Sequence, residues 1–544
     1  MQLLGILFEL YLATFAQIAG YHPSQFLSDH TKDYCAPLSS SLELIGNCGE
    51  LRSNHFHTGW DLSTGGKEGA SVFAIEEGYI SRIRISTTGY GKAVYITHPN
   101  GLTSVYAHLS HFGKTLDSLV LAEMKLHKQN EFDWYWPSSK FKLNKGDCFA
   151  YSGNSGASTG PHLHFELRDA FTEIVLNPAM LFEDKIQDDI APVLSHLALT
   201  YQDKNGVRLL EDIYKVRDTQ LFVESAQDHL TLSVSGEDRA GKGKYHLGIY
   251  SLRMIDEKGE VLYGFTQERL NFANGRFANA VNDYVCSQHA SKLNWYSLFQ
   301  VLNNDWPSTK HFNSEVDLRS GARNLTIQIA DEKGLSRSYH INIKKSEAPG
   351  NTTTKSKLSK QLICLNAGSA FSFSPAENCW VQVPNKSLYE NIYWPVDGLK
   401  LPYPPAFHKT ASVKMLVKNV SLGRKLGSYV VVKYKGKILE KSKVLWKGDT
   451  AVFETKHCGS FEYKYAEKLP MATIKKAFIV LENIEFLSQY QVVDARTNEW
   501  LPVSFDSKTK RLLFLEKGKH SKKVKVYCKD VFGRESIQEL EISR

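Results

Sequence analysis

The sequence predicts a mainly β protein of several domains, with an antiparallel sheet unit near the N-terminus followed by β-sandwich, immunoglobulin-like units. Three observations point there. Short apolar runs alternate with period two between glycines, as in SVFAIEEGYISRIRIS and GYGKAVYITH up to His98, the pattern of strands that bury one face. A strand, an Asp-x-x-Gly turn and a second strand recur around Asp238, Asp331 and Asp530, which is a hairpin device typical of sandwiches. Finally, 544 residues suggest three or four domains, and 42% hydrophobic and 12% aromatic content supplies their cores.

Residues 1–20, MQLLGILFELYLATFAQIAG, are apolar and end in small residues, as a signal peptide does, although Glu9 interrupts the run and no Lys or Arg precedes it. Cleavage after Ala16, Ala19 or Gly20 fits equally. No later stretch reaches the ~18 apolar residues of a membrane helix, so the mature chain is expected to be exported and to have no membrane span. Eight cysteines are scattered along the chain, with Cys35/Cys48 and Cys364/Cys379 the pairs close in sequence. Cys148 and Cys528 fall in apolar strand patterns and read as buried thiols.

Residues 21–185 form the first unit: a lead-in with a strand and turn over Ser39–Cys48, a small antiparallel sheet from Val72, and the alternating run Thr103–Leu109. An insertion at 113–145 follows, with helical spacing over Leu116–Leu126 and the aromatic cluster Phe132, Trp134, Tyr135 and Trp136. A long insertion beside such a strand serves as a lid or substrate wall, or else anchors itself by its aromatics. EDKIQDD and Ile190-Ala191-Pro192 mark a boundary. Residues 191–345 and 470–544 read as β-sandwich units, 346–360 as a polar linker, and 361–469 as a further β-rich unit. With no clustered His, Cys, Asp or Glu, these later units read as binding or spacing modules. The net charge of +8 is modest, and no basic cluster joins a nucleic-acid motif, which sets that partner class aside.

Chemistry concentrates at Gly156–Glu166, GASTGPHLHFE. His162 and His164, two apart on a strand, share a face. His57-Thr-Gly-Trp-Asp61 adds an imidazole and a carboxylate; if it is extended, His57, Gly59 and Asp61 share a face and Gly59 leaves room for a metal. Tyr106-Ala-His108-Leu109 adds another imidazole on a strand. Histidine, carboxylate and histidine make a three-ligand zinc set with one position open. His55 is a rival ligand by position. Glu166 could orient a ligand or face solvent. His111 and His127 are expected in solvent.

HFHTGWD, GYGKAVYITHPNG, VYAHL and GNSGASTGPHLHFE stand in the order and wording of the lysostaphin/LytM-type zinc endopeptidases, which cleave the peptide cross-links of bacterial peptidoglycan. The sequence resembles that family over roughly residues 40 to 183. The resemblance implies a LytM-like peptidase fold and one Zn2+ per chain held by His57, Asp61 and His164. It assigns His108 and His162 as the catalytic histidines. It also implies stem peptides or cross-bridges of peptidoglycan as substrate, and the periplasm or cell envelope as location. Two other classes share parts of the pattern. A catalytically silent LytM-like regulator of another cell-wall hydrolase has the same fold but typically lacks ligands, and an envelope scaffold or adhesion protein would explain only the β-rich remainder.

Overall fold

The computed structural model describes residues 34–38, 41–52, 54–300, 309–311, 314–346, 362–376, 378–395, 406–417, 420–434, 437–457, 459–475, 478–516 and 522–542. The signal-peptide reading of residues 1–20 and nearly all of the 346–360 linker lie outside the described residues.

Among the described residues the chain is mostly strand, in antiparallel sheets, with parallel pairing between Gln220–Ser225 and Ser336–Lys345 and at the isolated bridge Leu42–Ile186. The sheet that carries the histidines orders its strands Leu44–Gly46, Trp60–Ser63, His162–Asp169, Leu102–Ala107, Lys92–Thr97, Gly78–Ile85 and Phe132–Tyr135. His162–Asp169 is central, and all eight of its residues are buried. Its period-two alternation puts Leu163, Phe165 and Leu167 into the apolar core. His162, His164, Glu166 and Arg168 fall on the other face. A polar face usually signals solvent; here it is covered, so each polar group must find a partner inside.

The inserted helix is Lys114–His127, with Leu116, Val120 and Met124 buried. The aromatic segment becomes the edge strand Phe132–Tyr135, paired with Arg82–Ile85. Phe132 and Trp136 are buried, whereas Tyr135 is exposed beneath the Arg82 guanidinium. The insertion also meets the last β unit. Asn130, itself buried, accepts from Val503 N at 3.1 Å and donates to Tyr490 O at 3.4 Å, while Lys125 pairs with Glu516 at 2.7 Å.

Residues 193–345 form two six-stranded sheets, and their apolar side chains join the first unit in one continuous cluster running from Tyr34 to Ile343. The strand Arg269–Leu270 adds directly to the first unit's sheet by pairing with Val175–Leu176. The Asn47 side chain exchanges two hydrogen bonds with the Gly248 backbone, at 2.8 and 2.9 Å. Residues 193–345 therefore pack directly against the first unit. Further along, separate cores form around Phe407 and Val413 and around Val492 and Val526.

Two other expectations change. Cys148 is exposed at the start of its strand, where the pairing register shifts, while Cys528 is buried as expected. Asp331 and Asp530 do open hairpin turns, but Asp238 sits inside the strand His229–Ala240, which continues to pair with Tyr245–Leu247.

Candidate active site

Antiparallel register sets His164 directly opposite Asp61 on one side and Ala107 on the other. His57 lies just before the strand Trp60–Ser63, and His108 just after Leu102–Ala107. His108 is thus past the strand's end rather than on it. It has φ +59°, a left-handed conformation that costs a non-glycine residue roughly 1–3 kcal/mol. Two bonds hold it there: its N–H donates to Tyr90 O at 2.9 Å, and its Nδ1 donates to Ser155 O at 2.8 Å.

Gly59 has a different role from the one expected. A Cβ there would meet Phe165 O at 2.3 Å and Glu166 Cγ at 2.7 Å, so the glycine admits the neighbouring strand rather than a metal.

Three atoms form a tight triangle. His57 Nε2 is 3.1 Å from His164 Nδ1 and 3.1 Å from Asp61 Oδ1, and His164 Nδ1 is 2.9 Å from Asp61 Oδ1. Ligand atoms about 2.0–2.2 Å from a tetrahedral zinc lie about 3.3–3.6 Å apart, a few tenths of an ångström wider than this triangle. The other nitrogens fix the tautomers. His57 Nδ1 donates to Asn47 O at 2.9 Å, and His164 Nε2 donates to Glu166 Oε1 at 2.9 Å. Both ligand-side lone pairs are thereby turned into the triangle.

Beside the triangle, the His108 and His162 rings lie 4.8 Å apart. His162 Nδ1 faces Gly160 O at 2.8 Å, which leaves Nε2 buried and without hydrogen-bond geometry to any partner, 3.3 Å from Asp61 Oδ1. The donor set of two imidazoles and a carboxylate, with an orphaned imidazole edge next to it, fits a zinc ion. His55 is exposed on its strand and stands outside the triangle. His111 and His127 face solvent, as expected.

The electrostatics follow from burial and contact. Burial, reinforced by the neighbouring imidazoles, pushes His108 down to about 3. Burial also lowers His57, although the Asp61 charge opposes it. Burial alone would raise Asp61, but the imidazoles of His57, His162 and His164 hold it well below the usual carboxylate range. His164 runs the other way: despite burial, its bonds to Asp61 and Glu166 raise it to about 9. Without a cation the pocket therefore favours a proton on His164, in the place a bound metal would take.

Sequence reasoning left Glu166 open and missed its partners. It is fully buried and accepts from Thr58 Oγ1 at 2.6 Å, Tyr90 Oη at 2.5 Å and Arg168 Nε and Nη2 at 2.8 and 2.6 Å. The period-two run His162, His164, Glu166, Arg168 was the available signal. Also missed was a wall from the second unit. A cavity of about 550 Å³ over His57, His108 and His164 is lined in part by Arg269, Leu270 and Phe272.

Residues 55–126 match the family model described as Peptidase family M23. The chain carries an M23 peptidase domain. The match includes His57, Asp61 and His108 and ends inside the inserted helix. The chain is 31% identical over 118 residues to the DD-carboxypeptidase/endopeptidase Mpg of Neisseria meningitidis serogroup B, covering 22% of this chain and 21% of that protein. It spans about a fifth of the length of the curated relatives it matches. Among solved structures, the M23 domain is similar to the catalytic domain of the prophage-encoded protein EnpA from Enterococcus faecalis, with 25% identity, 26% of this chain and 94% of that chain covered, and a TM-score of 0.20. For the catalytic domain of lysostaphin from Staphylococcus simulans the figures are 22% identity, 24% and 85% coverage, and 0.18.

Proposed function

We propose that this protein is a zinc-dependent endopeptidase that hydrolyses peptide cross-links of bacterial peptidoglycan, acting outside the cytoplasm in the periplasm or cell envelope. The observation that carries the reading is the triangle of His57 Nε2, Asp61 Oδ1 and His164 Nδ1, with the free imidazole edges of two further histidines beside it. An M23 domain with a full donor set supports chemistry over the silent-regulator and scaffold alternatives.

His57, Asp61 and His164 would hold one zinc ion. When bound, zinc polarises the scissile carbonyl and makes a water nucleophilic near neutral pH. His108, its Nδ1–H held by Ser155 O, presents Nε2 as the base that takes the water proton and returns it to the leaving amine. His162, whose Nδ1–H donates to Gly160 O and whose ring has the Ser158 hydroxyl 3.2 Å away, presents Nε2 to the reacting centre and, when that nitrogen also carries a proton, donates it to the developing oxyanion. Phe272, 45% exposed and stacked over the Arg168 guanidinium, offers an apolar wall for the peptide chain.

The test is product analysis of digested sacculi by mass spectrometry. Newly freed amino groups in the cross-bridge are expected, lost in His162→Ala while zinc is retained. Removing either His108 or His162 should lower the rate by ~10²–10⁴-fold. Cleavage at the glycan–peptide amide would make the enzyme an amidase, and no release by the zinc-loaded protein would refute the hydrolase reading.

A further inference from the structure

Away from the histidines, three acidic side chains converge where the first unit passes into the second. Asp188 lies in the link after the short helix Glu183–Lys185, Asp238 in the strand His229–Ala240, and Asp331 at the turn after Arg323–Ala330. One carboxylate oxygen from each lies within 4.8 Å of one from each of the others. Asp238 and Asp331 are each only 2% exposed.

Acidic clusters on a surface are common and mean little. Here a second observation singles the cluster out: Asp238 Oδ1 and Asp331 Oδ2 are buried and have no hydrogen-bond partner. Asp331 Oδ1 is occupied by the N–H groups of Lys333 and Leu335, both at 2.9 Å, which leaves Oδ2 for the cluster. Asp188 Oδ1 accepts from Ile190 N at 3.0 Å. Among the described residues none of the three carboxylates forms an ion pair. Lys333, the ammonium at this corner, donates instead to the main-chain oxygen of Asp188 at 3.0 Å. Buried carboxylates with orphaned oxygens are costly unless a proton or a cation neutralises them. Burial and the neighbouring carboxylates accordingly push Asp238 up to about 8 and Asp331 up to about 6.

We infer that Asp188, Asp238 and Asp331 form a second metal site, for a hard divalent cation with calcium preferred over magnesium. The donor set is all oxygen, with neither imidazole nor thiolate, which selects hard ions and disfavours zinc. Ca2+ takes several carboxylates in a flexible shell of six to eight oxygens, whereas Mg2+ keeps its waters and is usually bound through one or two carboxylates.

The site has a structural consequence for the first unit. Glu332, next to Asp331, accepts from Trp60 Nε1 at 2.8 Å and Asn177 Nδ2 at 2.6 Å, and Trp60 adjoins Asp61. A cation that fixes the Asp331–Gly334 turn thereby braces the strand that presents the carboxylate of the zinc triangle.

The experiment uses the full-length, zinc-loaded protein, dialysed into calcium- and magnesium-free buffer and titrated calorimetrically with CaCl2 and, separately, MgCl2. One calcium per chain is expected, with an increase in melting temperature that dialysis back into calcium-free buffer reverses. Asp238→Asn and Asp188→Asn should each weaken calcium at least tenfold; removing crowded negative charge, they should leave the fold intact by far-ultraviolet circular dichroism. His57→Ala should bind calcium as the parent does, which separates this site from the zinc triangle. Absence of calcium binding at millimolar concentration, undiminished binding in the folded Asp238→Asn protein, or tighter binding of magnesium would each overturn the proposal.

Discussion

Replacing Glu166 by Gln tests how the His164 imidazole is held. The carboxylate is fully buried and receives the Thr58 and Tyr90 hydroxyls, His164 Nε2 and two Arg168 N–H groups at 2.5–2.9 Å. The amide keeps the volume but only one accepting oxygen, and its NH2 group turns towards donors. Arg168 is left with Glu173 at 2.9 Å, a residue half in solvent. Removing one partner of a buried pair costs about 3–5 kcal/mol, and the retained oxygen puts this substitution at the lower end. The effect on zinc is separate: loss of the group that orients a ligand imidazole typically weakens metal about 10–100-fold, which corresponds to about 1.4–2.8 kcal/mol. The assay is competition against a chromophoric chelator at neutral pH, alongside urea denaturation of the zinc-loaded protein. Parental zinc affinity together with an unshifted denaturation midpoint would refute the reasoning.

Three further expectations follow from other contacts. Arg208 is buried between Asp283, at 2.8 and 3.0 Å, and Glu390, at 2.9 and 3.0 Å; Arg208→Met strands both carboxylates and should cost about 3–5 kcal/mol, read as an earlier chemical-denaturation transition, and an unmoved transition would count against it. A chain ending at Glu183 loses the Gly248 backbone that clamps Asn47, the Glu332 carboxylate on Trp60 and the Leu270 pairing. It should aggregate or bind zinc substoichiometrically, and a monomer with a cooperative melt and full zinc would show the first unit to be self-sufficient. Burial raises the Glu131 carboxyl against the two bonds from Thr87. The folded protein then holds a proton that the unfolded chain has released, so this stability is present at acid pH and lost as pH rises through the raised value. Glu131→Gln should therefore gain over the parent in melting temperature between pH 5 and pH 8, relative to pH 4 (~4.3 being the carboxyl's unperturbed value); a difference that does not change with pH would exclude this account.

Much of the site could be read from the chain because its information is local. His162 and His164 share a face by strand periodicity, and the spacing of His57 and Asp61 puts both near one strand end. Antiparallel register then sets His164 against Asp61, a pairing that no spacing rule specifies. What could not be read depends on contacts distant in sequence. Nothing in GWD reveals that the Trp60 indole would meet Glu332, 272 residues away. Nothing in the Phe272 region reveals that it would wall a cavity over His108. The polar face His162, Glu166, Arg168 reads as solvent-facing by composition, and only the layer above it makes it interior.

These distant contacts change how the chain's parts relate to one another. Asn47 holds His57 with its carbonyl and the Gly248 backbone with its side chain. Trp60 ties the Asp61 strand to the turn containing Asp331, and that turn closes on the acidic cluster. Two of the three triangle residues are thus backed by the second unit, one through Asn47 and one through Glu332. Strands position ligands well only if something fixes the strands, and for Trp60–Ser63 that support comes from across the boundary. The catalytic and β-rich parts of the sequence therefore divide by composition at residue 190 but not by mechanics. A change at the Asp331 turn should be felt at Asp61 before it is felt at His108, whose own supports, Tyr90 and Ser155, belong to the first unit.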